Sequence, residues 1–563
     1  MAGKKKTEAT KDDDLVFVAL GGAGEIGMNM YLYGAGRGAK RRWIMVDCGV
    51  SFGDMETSPG IEIIMPDPAF IAEQADKLEG IFITHAHEDH VGALGRLWPR
   101  LKAPIYAQPF TSEIIRRKFE EVSLSQKPIK TVTGGTVAAG PFQVRFQAVT
   151  HSIPEAASLI IDTPSGRVVH TGDFKVDHTP QMGEPFDLDA FRRLGDEGVH
   201  AMVCDSTNVF APGRGGSEAD VLEPIAEILR ENEGAVAATT FASNVERLRT
   251  IAVLARDAGR KTVLVGRAMN RMIETAIETG LLTDFPHTLT EDEAADLPRR
   301  EVLYLVTGSQ GEGRAALARI ASGTHPTVSL RAGDAVIFSS KTIPGNESSV
   351  YRIYNMLAEQ GVRIYDEENG RVHVSGHARR EDLKVMYDAL RPRISIPMHG
   401  EHRHLVEHAA FAESLQVASI AAPNGTMVAL AGDRPRIVDQ VPTGKLYLDG
   451  SVIIGATDGV VRERLKMARQ GHVAVSLVLD EKGQLLADPE IAVSGAPETA
   501  EGWPAPLEDL IYEAVDKAVD SAPANRRSDE QIEELATRAA RRACMRWWGK
   551  KPVVSVMISR LED

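Results

Sequence analysis

The sequence predicts an α/β protein of several domains, and three observations lead there. Short apolar runs punctuate the first 205 residues as strands of a sheet do, from Leu15-Val16-Phe17-Val18-Ala19-Leu20 to Ala201-Met202-Val203-Cys204-Asp205. Past Asp205, longer amphipathic stretches such as Val221 to Glu231 alternate with buried-type runs, the pattern of a parallel sheet with crossover helices. A length of 563 residues exceeds one core and calls for about three or four domains.

Residues 1–14 mix Lys and Asp without apolar spacing and read as a disordered tail. Residues 15–205 form the first α/β part. Residues 206–372 read as a second α/β domain, with strands at Thr262 to Gly266, Val302 to Val306 and Ala335 to Ser339 and a helix from Tyr351 to Gln360. Histidines return in 373–435, and 436–446 reads as a linker. The C-terminal domain, 447–563, reads as hairpin strands including Val473 to Leu479, a turn at Asp480-Glu481-Lys482-Gly483, two helices and a last strand from Val553 to Ile558. The second helix is opened by the capping box Ser528-x-x-Gln531. The helical stripes Leu507, Leu510, Ile511, Ala514 and Ile532, Leu535, Ala539 would pack on their own sheet or on a partner subunit. No internal repeat is present.

With 43% hydrophobic and 25% charged residues the composition is that of an ordinary globular protein. No run approaches the ~18 apolar residues of a membrane span, so no membrane association and a cytoplasmic location are expected. Three scattered cysteines, Cys48, Cys204 and Cys544, argue against a disulfide framework. The net charge of −15 counts against nucleic-acid binding over the whole surface. Bound cations, or Lys and Arg gathered along one groove, would offset it.

One motif misleads. Gly22-x-Gly24-x-x-Gly27 follows a strand and Asp47 lies twenty residues on, as in a dinucleotide site. That site needs a helix after the glycines, whereas Met28 to Tyr33 and Arg42 to Val46 are β-like.

The informative run is Thr84-His85-Ala86-His87-Glu88-Asp89-His90, behind the apolar Gly80-Ile81-Phe82-Ile83. Imidazole and carboxylate are the usual ligands of catalytic zinc, and i, i+2 spacing off a strand end points His85 and His87 the same way. Asp89 and His90, in the turn opening the next helix, can face a second ion. His151, Asp173 and His399 each follow a further strand-like run and would complete two ions, with Gly400 leaving room beside His399.

This HxHxDH run, with Asp47, His151 and Asp173, resembles the metallo-β-lactamase superfamily. Asp205-Ser206-Thr207-Asn208, His373-Val374-Ser375-Gly376-His377-Ala378 and Pro397-Met398-His399-Gly400 look like the three motifs of the β-CASP nucleases. Their order, with an insertion between Asp205 and His373, resembles the bacterial ribonuclease J family. Ala86 stands where many relatives carry Gly. The resemblance implies a metallo-β-lactamase αββα sandwich, an inserted α/β β-CASP domain and a separate α+β C-terminal domain serving oligomerisation.

It further implies two Zn2+ per chain, with Mn2+ or Mg2+ as substitutes. His85, His87 and His151 would hold one ion, Asp89, His90 and His399 the other, and Asp173 both. Asp47 would orient a ligand or the water, and His377 would donate to the phosphate or the departing 3′ oxygen. Ser243, Arg267 and Ser309 of the insertion, with His373, Val374, Ser375, Gly376 and His377, would contact RNA and its 5′-terminal phosphate.

The implied activity is a 5′→3′ exoribonuclease that also cuts internally, acting in RNA maturation and mRNA decay on 5′-monophosphorylated RNA. The implied assemblies are a homodimer or homotetramer and an RNA-degradation complex. The alternatives are a β-CASP nuclease for DNA or RNA 3′ ends, a small-molecule metallo-hydrolase such as a thioesterase or lactonase, and a non-catalytic RNA scaffold. The hydrolase leaves His377 and the insertion unexplained, and the scaffold would need lost ligands.

Overall fold

The computed structural model describes residues 14–343, 345–523 and 527–561. The expected tail 1–14 lies outside them apart from Asp14, which is ion-paired with Arg37. The chain divides into two compact units, one running up to Ser51 and again from Met65 to Lys445, the other formed by Phe52–Ile64 and Leu446–Asp563.

In the first unit an eight-stranded and a seven-stranded sheet bury a shared core. Alternate residues of each strand supply it: Phe17, Tyr31, Tyr33 and Ile44 from one sheet, Phe142, Val144, Leu159 and Ile161 from the other. The intervening residues Val16, Val18 and Leu32 are buried as well. A sheet that hides both faces must be covered on both sides, and helices such as Pro109–Glu121 and His402–Ser414 pack against the strands.

The insertion holds a six-stranded sheet with every neighbouring pair parallel, in the order Thr288–Leu289, Lys261–Val265, Val302–Val306, Val236–Thr239, Ala335–Phe338, Arg363–Tyr365. A buried charge network ties it to the first domain: Glu218 takes Lys175 Nζ at 3.0 Å and Arg247 Nη2 at 2.7 Å, all three side chains being buried.

The glycine-rich turn Gly22 to Gly27 leads into the strand Met30–Ala35, not a helix, so the dinucleotide pattern lacks its structural context. Of the expected linker 436–446, Arg436–Gln440 is the edge strand of the eight-stranded sheet, paired antiparallel with Thr426–Ala429. It is almost wholly solvent-facing, so no apolar alternation marks it; the ladder to its neighbour alone makes it a strand.

In the second unit the sheet Glu490–Ser494, His472–Leu479, Val553–Arg560 is covered by helices Leu507–Asp520 and Asp529–Trp547. Leu507, Ile511, Ile532 and Ala539 pack on Val473, Val475 and Leu477, which assigns the apolar stripes to this unit's own core. The Ser528 capping box is present. Two features escape the sequence pattern. Phe52–Ile64 folds with this unit, Glu62 N donating to Leu448 O. Val460–Gln470, within the stretch read as hairpins, is a helix whose short apolar stripe, Val461 and Leu465, is only partly buried.

Candidate metal centre

The seven expected ligands lie in segments that follow the carboxyl ends of strands. Leu78–Phe82 delivers Thr84 to His87 and the one-turn helix Glu88–Val91. That short helix cannot hold itself; the backbone of 29–50 clamps it, Cys48 N donating to His90 O and Asn29 N to Asp89 O. Gly49 makes the clamp possible, since a Cβ there would lie 1.6 Å from Asp89 O. Gly166–His170, Ala201–Asp205 and Ile394–Met398 are adjacent parallel strands, so Asp173, Asp205 and His399 emerge side by side. Asp47 and His399 take left-handed backbone, φ 62° and 51°, a strained geometry that clusters at functional sites.

The seven expected ligands converge as two sets that share Asp173: His85, His87, His151, Asp173 and Asp89, His90, His399, Asp173. In the first, His85 Nε2 and His151 Nε2 lie 3.1 and 3.2 Å from His87 Nδ1 and 3.7 and 3.8 Å from Asp173 Oδ2. In the second, His90 Nε2 and His399 Nε2 lie 3.2 and 3.4 Å from the same Oδ2, and His399 Nε2 lies 3.2 Å from Asp89 Oδ2. Ligand atoms around a tetrahedral ion with bonds of 2.0–2.1 Å stand roughly 3.3 Å apart. Asp173 Oδ1 is buried without a hydrogen-bond partner, an arrangement that costs about 1–3 kcal/mol in a carboxylate left unsatisfied. Donor type, spacing and this orphaned oxygen all fit divalent cations.

Outer hydrogen bonds fix which nitrogen faces inward. Asp47 accepts His90 Nδ1 at 2.8 Å and Thr84 Oγ1 at 2.9 Å, and Thr84 Oγ1 in turn takes His85 Nδ1 at 2.9 Å. Asp205 repeats the device: it accepts His377 Nδ1 at 2.8 Å and Thr207 Oγ1 at 2.7 Å, and Thr207 Oγ1 takes His399 Nδ1 at 2.7 Å. Each carboxylate thus holds one imidazole directly and a second through a threonine, leaving Nε2 of His85, His90 and His399 turned toward Asp173. His151 is set by Gly376, whose carbonyl accepts its Nδ1 at 2.6 Å.

Thr84, Thr207 and the pairing of Asp205 with His377 are not legible in the motifs, because each is a contact across strands. Asn29, 3.0 Å from His90 Nε2 and 3.2 Å from Asp89 Oδ2, is a further missed neighbour.

Burial and neighbouring imidazoles keep His85 and His151 well below the usual histidine range and bring His87 down to about 4, so all three are neutral and ligand-ready. Burial also opposes charge on His90 and His399, but Asp173 with its fellow carboxylates outweighs it, raising His90 and taking His399 to about 9. His377 is raised too, Asp205 overcoming its burial. Burial pushes the Asp47 carboxyl up against the pull of His90.

The remaining candidates lie in two places. Ser243, Arg267 and Ser309 follow Val236–Thr239, Lys261–Val265 and Val302–Val306, three neighbouring strands of the insertion, so their turns line one sheet edge. Ser243 is half-buried, Arg267 exposed and Ser309 buried. The segment 373–377 wraps the metal centre: Ser375 Oγ and His377 O both accept Asn208 Nδ2, at 2.9 and 3.1 Å. Gly376 abuts His151 so closely that a Cβ would come 3.0 Å from its ring. Val374 packs toward Gly216. His373 follows Val372, whose carbonyl receives Arg247 Nη1 and Ser339 Oγ, and its own Nδ1 is buried and unpartnered.

A double-sheet core, strand-end histidines and carboxylates, and an inserted parallel α/β domain define a metal-dependent hydrolase of the metallo-β-lactamase class with a β-CASP insertion. Residues 24–228 match the metallo-beta-lactamase superfamily, 233–357 the ribonuclease J beta-CASP domain, 368–420 the Zn-dependent metallo-hydrolase RNA specificity domain and 459–561 the ribonuclease J C-terminal domain. Ribonuclease J of Sinorhizobium meliloti is 45% identical over 99% of both chains, and that of Corynebacterium glutamicum 36% identical over 95% of this chain and 74% of the relative. A crystal structure of a protein of unknown function from Enterococcus faecalis shares the fold, with a TM-score of 0.51 at 16% identity, over 73% of this chain and 99% of the other. The chain belongs to the ribonuclease J family and is a metal-dependent ribonuclease. Among the described residues no helix is long and apolar enough to cross a membrane.

Proposed function

We propose that the chain is a two-zinc 5′→3′ exoribonuclease that also cuts internally, acting in the cytoplasm in RNA maturation and mRNA decay. The observation that carries it is the position of Asp173 Oδ2, within 3.8 Å of the inward nitrogens of His85, His151, His90 and His399. His85, His87, His151 and Asp173 would hold one ion, Asp89, His90, His399 and Asp173 the other. When bound, such a pair supplies Lewis-acid polarisation of the phosphate and an acidified water.

The chain's own residues do the rest. Asp47 keeps His90 and, through Thr84, His85 in the ligating tautomer. His377, held through Nδ1 by Asp205 and drawn toward the charged form, presents Nε2 as a proton donor to the 3′ oxygen when its bond to phosphorus breaks. The phosphate therefore stays on the new 5′ end, and the leaving nucleotide is a nucleoside 5′-monophosphate.

The turns carrying Ser243, Arg267 and Ser309 would serve, with His373 to Gly376, as the RNA wall and the pocket for a terminal phosphate; the unpartnered His373 Nδ1 and the Gly-rich backbone would supply donors. A 5′-monophosphate satisfies those donors and each cut regenerates it, so 5′-monophosphorylated RNA is the preferred substrate. A homodimer or homotetramer joined through the C-terminal unit, and recruitment to an RNA-degradation complex, complete this reading.

The test is product analysis on 5′-monophosphorylated, 5′-triphosphorylated and circular RNA. Mononucleotides released first from the monophosphorylated 5′ end support the reading. Equal rates on all ends, or release from the 3′ end, overturn it.

A further inference from the structure

The second unit carries positive charge that neither the fold core nor the metal centre uses. In a chain of net charge −15, residues 535–561 hold seven Lys and Arg and no Asp or Glu. The solvent-exposed helix Val460–Gln470 adds four bases against a single Glu463.

The charges are placed in stripes. Arg462, Lys466 and Arg469 stand at i, i+4, i+7 and are exposed, so one helix face presents all three. Arg538, Arg542 and Arg546 stand at i, i+4, i+8 on Asp529–Trp547 and are exposed too. Among the described residues, ion pairs engage Arg464 with Asp449, Arg538 with Glu534 and Arg560 with Asp529, and the other stripe cations face solvent. Like charges four apart on a helix cost a few tenths of a kcal/mol each, and dipole compensation reaches only the last turn. A stripe two turns deep therefore costs stability unless an anion with several charges meets it.

The two helices are joined where they end. Lys550 Nζ donates to Arg469 O at 3.0 Å, and Gly471 abuts the Trp548 ring. Arg546 lies over the Trp547 ring at 4.8 Å and Lys550 over Trp548 at 5.3 Å. Both indoles are half-buried against the core of the unit. A guanidinium over an indole can offer a base a stacking surface, and cations interleaved with aromatics are the composition of single-strand binders.

We propose that the second unit carries its own RNA-binding surface, where the cation stripes of Val460–Gln470 and Asp529–Trp547 hold the phosphate backbone of single-stranded RNA and the Arg546–Trp547 and Lys550–Trp548 stacks receive its bases. This rests on the chain acting on RNA and is independent of the direction of cleavage.

The test uses the full chain with Arg462→Gln, Lys466→Gln, Arg542→Gln and Arg546→Gln combined, all at exposed positions. Both it and its parent carry His377→Ala so that bound RNA survives. Affinity for a 5′-hydroxyl RNA of about 30 nucleotides should fall roughly tenfold near 0.1 M salt, and the log–log salt slope should fall by about 3, four lost phosphate contacts at about 0.7 each. An unchanged affinity and slope overturns the proposal. So does loss of binding to phosphatidylglycerol vesicles with RNA binding intact, which would make the patch a membrane contact. In a His377 background, turnover of a dinucleotide serves as reference: its persistence keeps the effect on the second surface, and its loss assigns the four cations to the metal centre and overturns the proposal. Failure of the 5′-end assay above leaves this result untouched.

Discussion

Thr207 Oγ1 stands 2.7 Å from His399 Nδ1 and 2.7 Å from Asp205 Oδ1, so the hydroxyl accepts from the imidazole and donates to the carboxylate. Thr207→Val keeps the shape and removes both bonds. Its affinity for the second ion should fall about 10- to 100-fold, the usual cost of losing an outer partner, while Thr207→Ser retains it. Metal content after dialysis against a chelator series measures this; an unchanged second-ion affinity in Thr207→Val would count against the relay.

Removing a ligand should separate chemistry from binding. Asp89→Ala or His399→Ala should abolish hydrolysis, leaving less than about a tenth of the activity, since several kcal/mol of transition-state stabilisation go with the ligand. RNA binding, measured by filter retention on the same preparations, should persist because the groove uses other residues.

His377 has a more specific signature. If it protonates the 3′ oxygen, His377→Ala should slow RNA cleavage by about 10²- to 10⁴-fold. It should barely affect an ester whose leaving group is p-nitrophenolate, which departs without a proton. Metal content should stay at the parent level. Equal losses on both substrates would make His377 a binding group.

The Glu218–Arg247 pair is buried on both sides. Arg247→Met strips Glu218 Oε2 of the two guanidinium donors it accepts and leaves Lys175, on Oε1, alone to neutralise it. Breaking a buried pair costs about 3–5 kcal/mol, to be read in denaturant unfolding of the insertion; a loss below about 1 kcal/mol would show that Lys175 suffices.

Glu246 makes stability pH-dependent in a predictable direction. Burial, then repulsion from Glu218, raises its carboxyl from 4.5 to about 7. A raised folded-state value favours the protonated acid, so its contribution is fully present below the unfolded value and is lost as pH rises to about 7. Glu246→Gln stays neutral throughout. The melting temperature of the variant relative to the parent should therefore climb between about pH 5 and pH 8 and level off above. A constant difference across that range would refute the buried, raised carboxyl.

The seven converging donors were readable because strand-end geometry writes them as local patterns. An apolar run stops and a His or Asp follows within a few residues, as at Phe82 to His85 and Met398 to His399. The αββα core was readable for the same reason, since alternation records which strand face is buried. Solvent-facing elements leave a weaker trace: Arg436–Gln440 has no buried face and reads as a linker, and the short stripe of Val460–Gln470 reads as part of a hairpin.

What the amino-acid sequence determined by itself is the chemistry of the donors and their order along the chain. Only the tertiary structure decided how they are shared and oriented: that Asp173 Oδ2 faces four histidines, that Asp47 and Asp205 each command two imidazoles, one through a threonine, and that Phe52–Ile64 folds with the C-terminal unit. The physical reason is that hydrogen-bond partners such as Thr207 and His399, 192 residues apart, are chosen by the register of adjacent parallel strands. Register is set by packing over the whole sheet, and no local stretch of sequence encodes it.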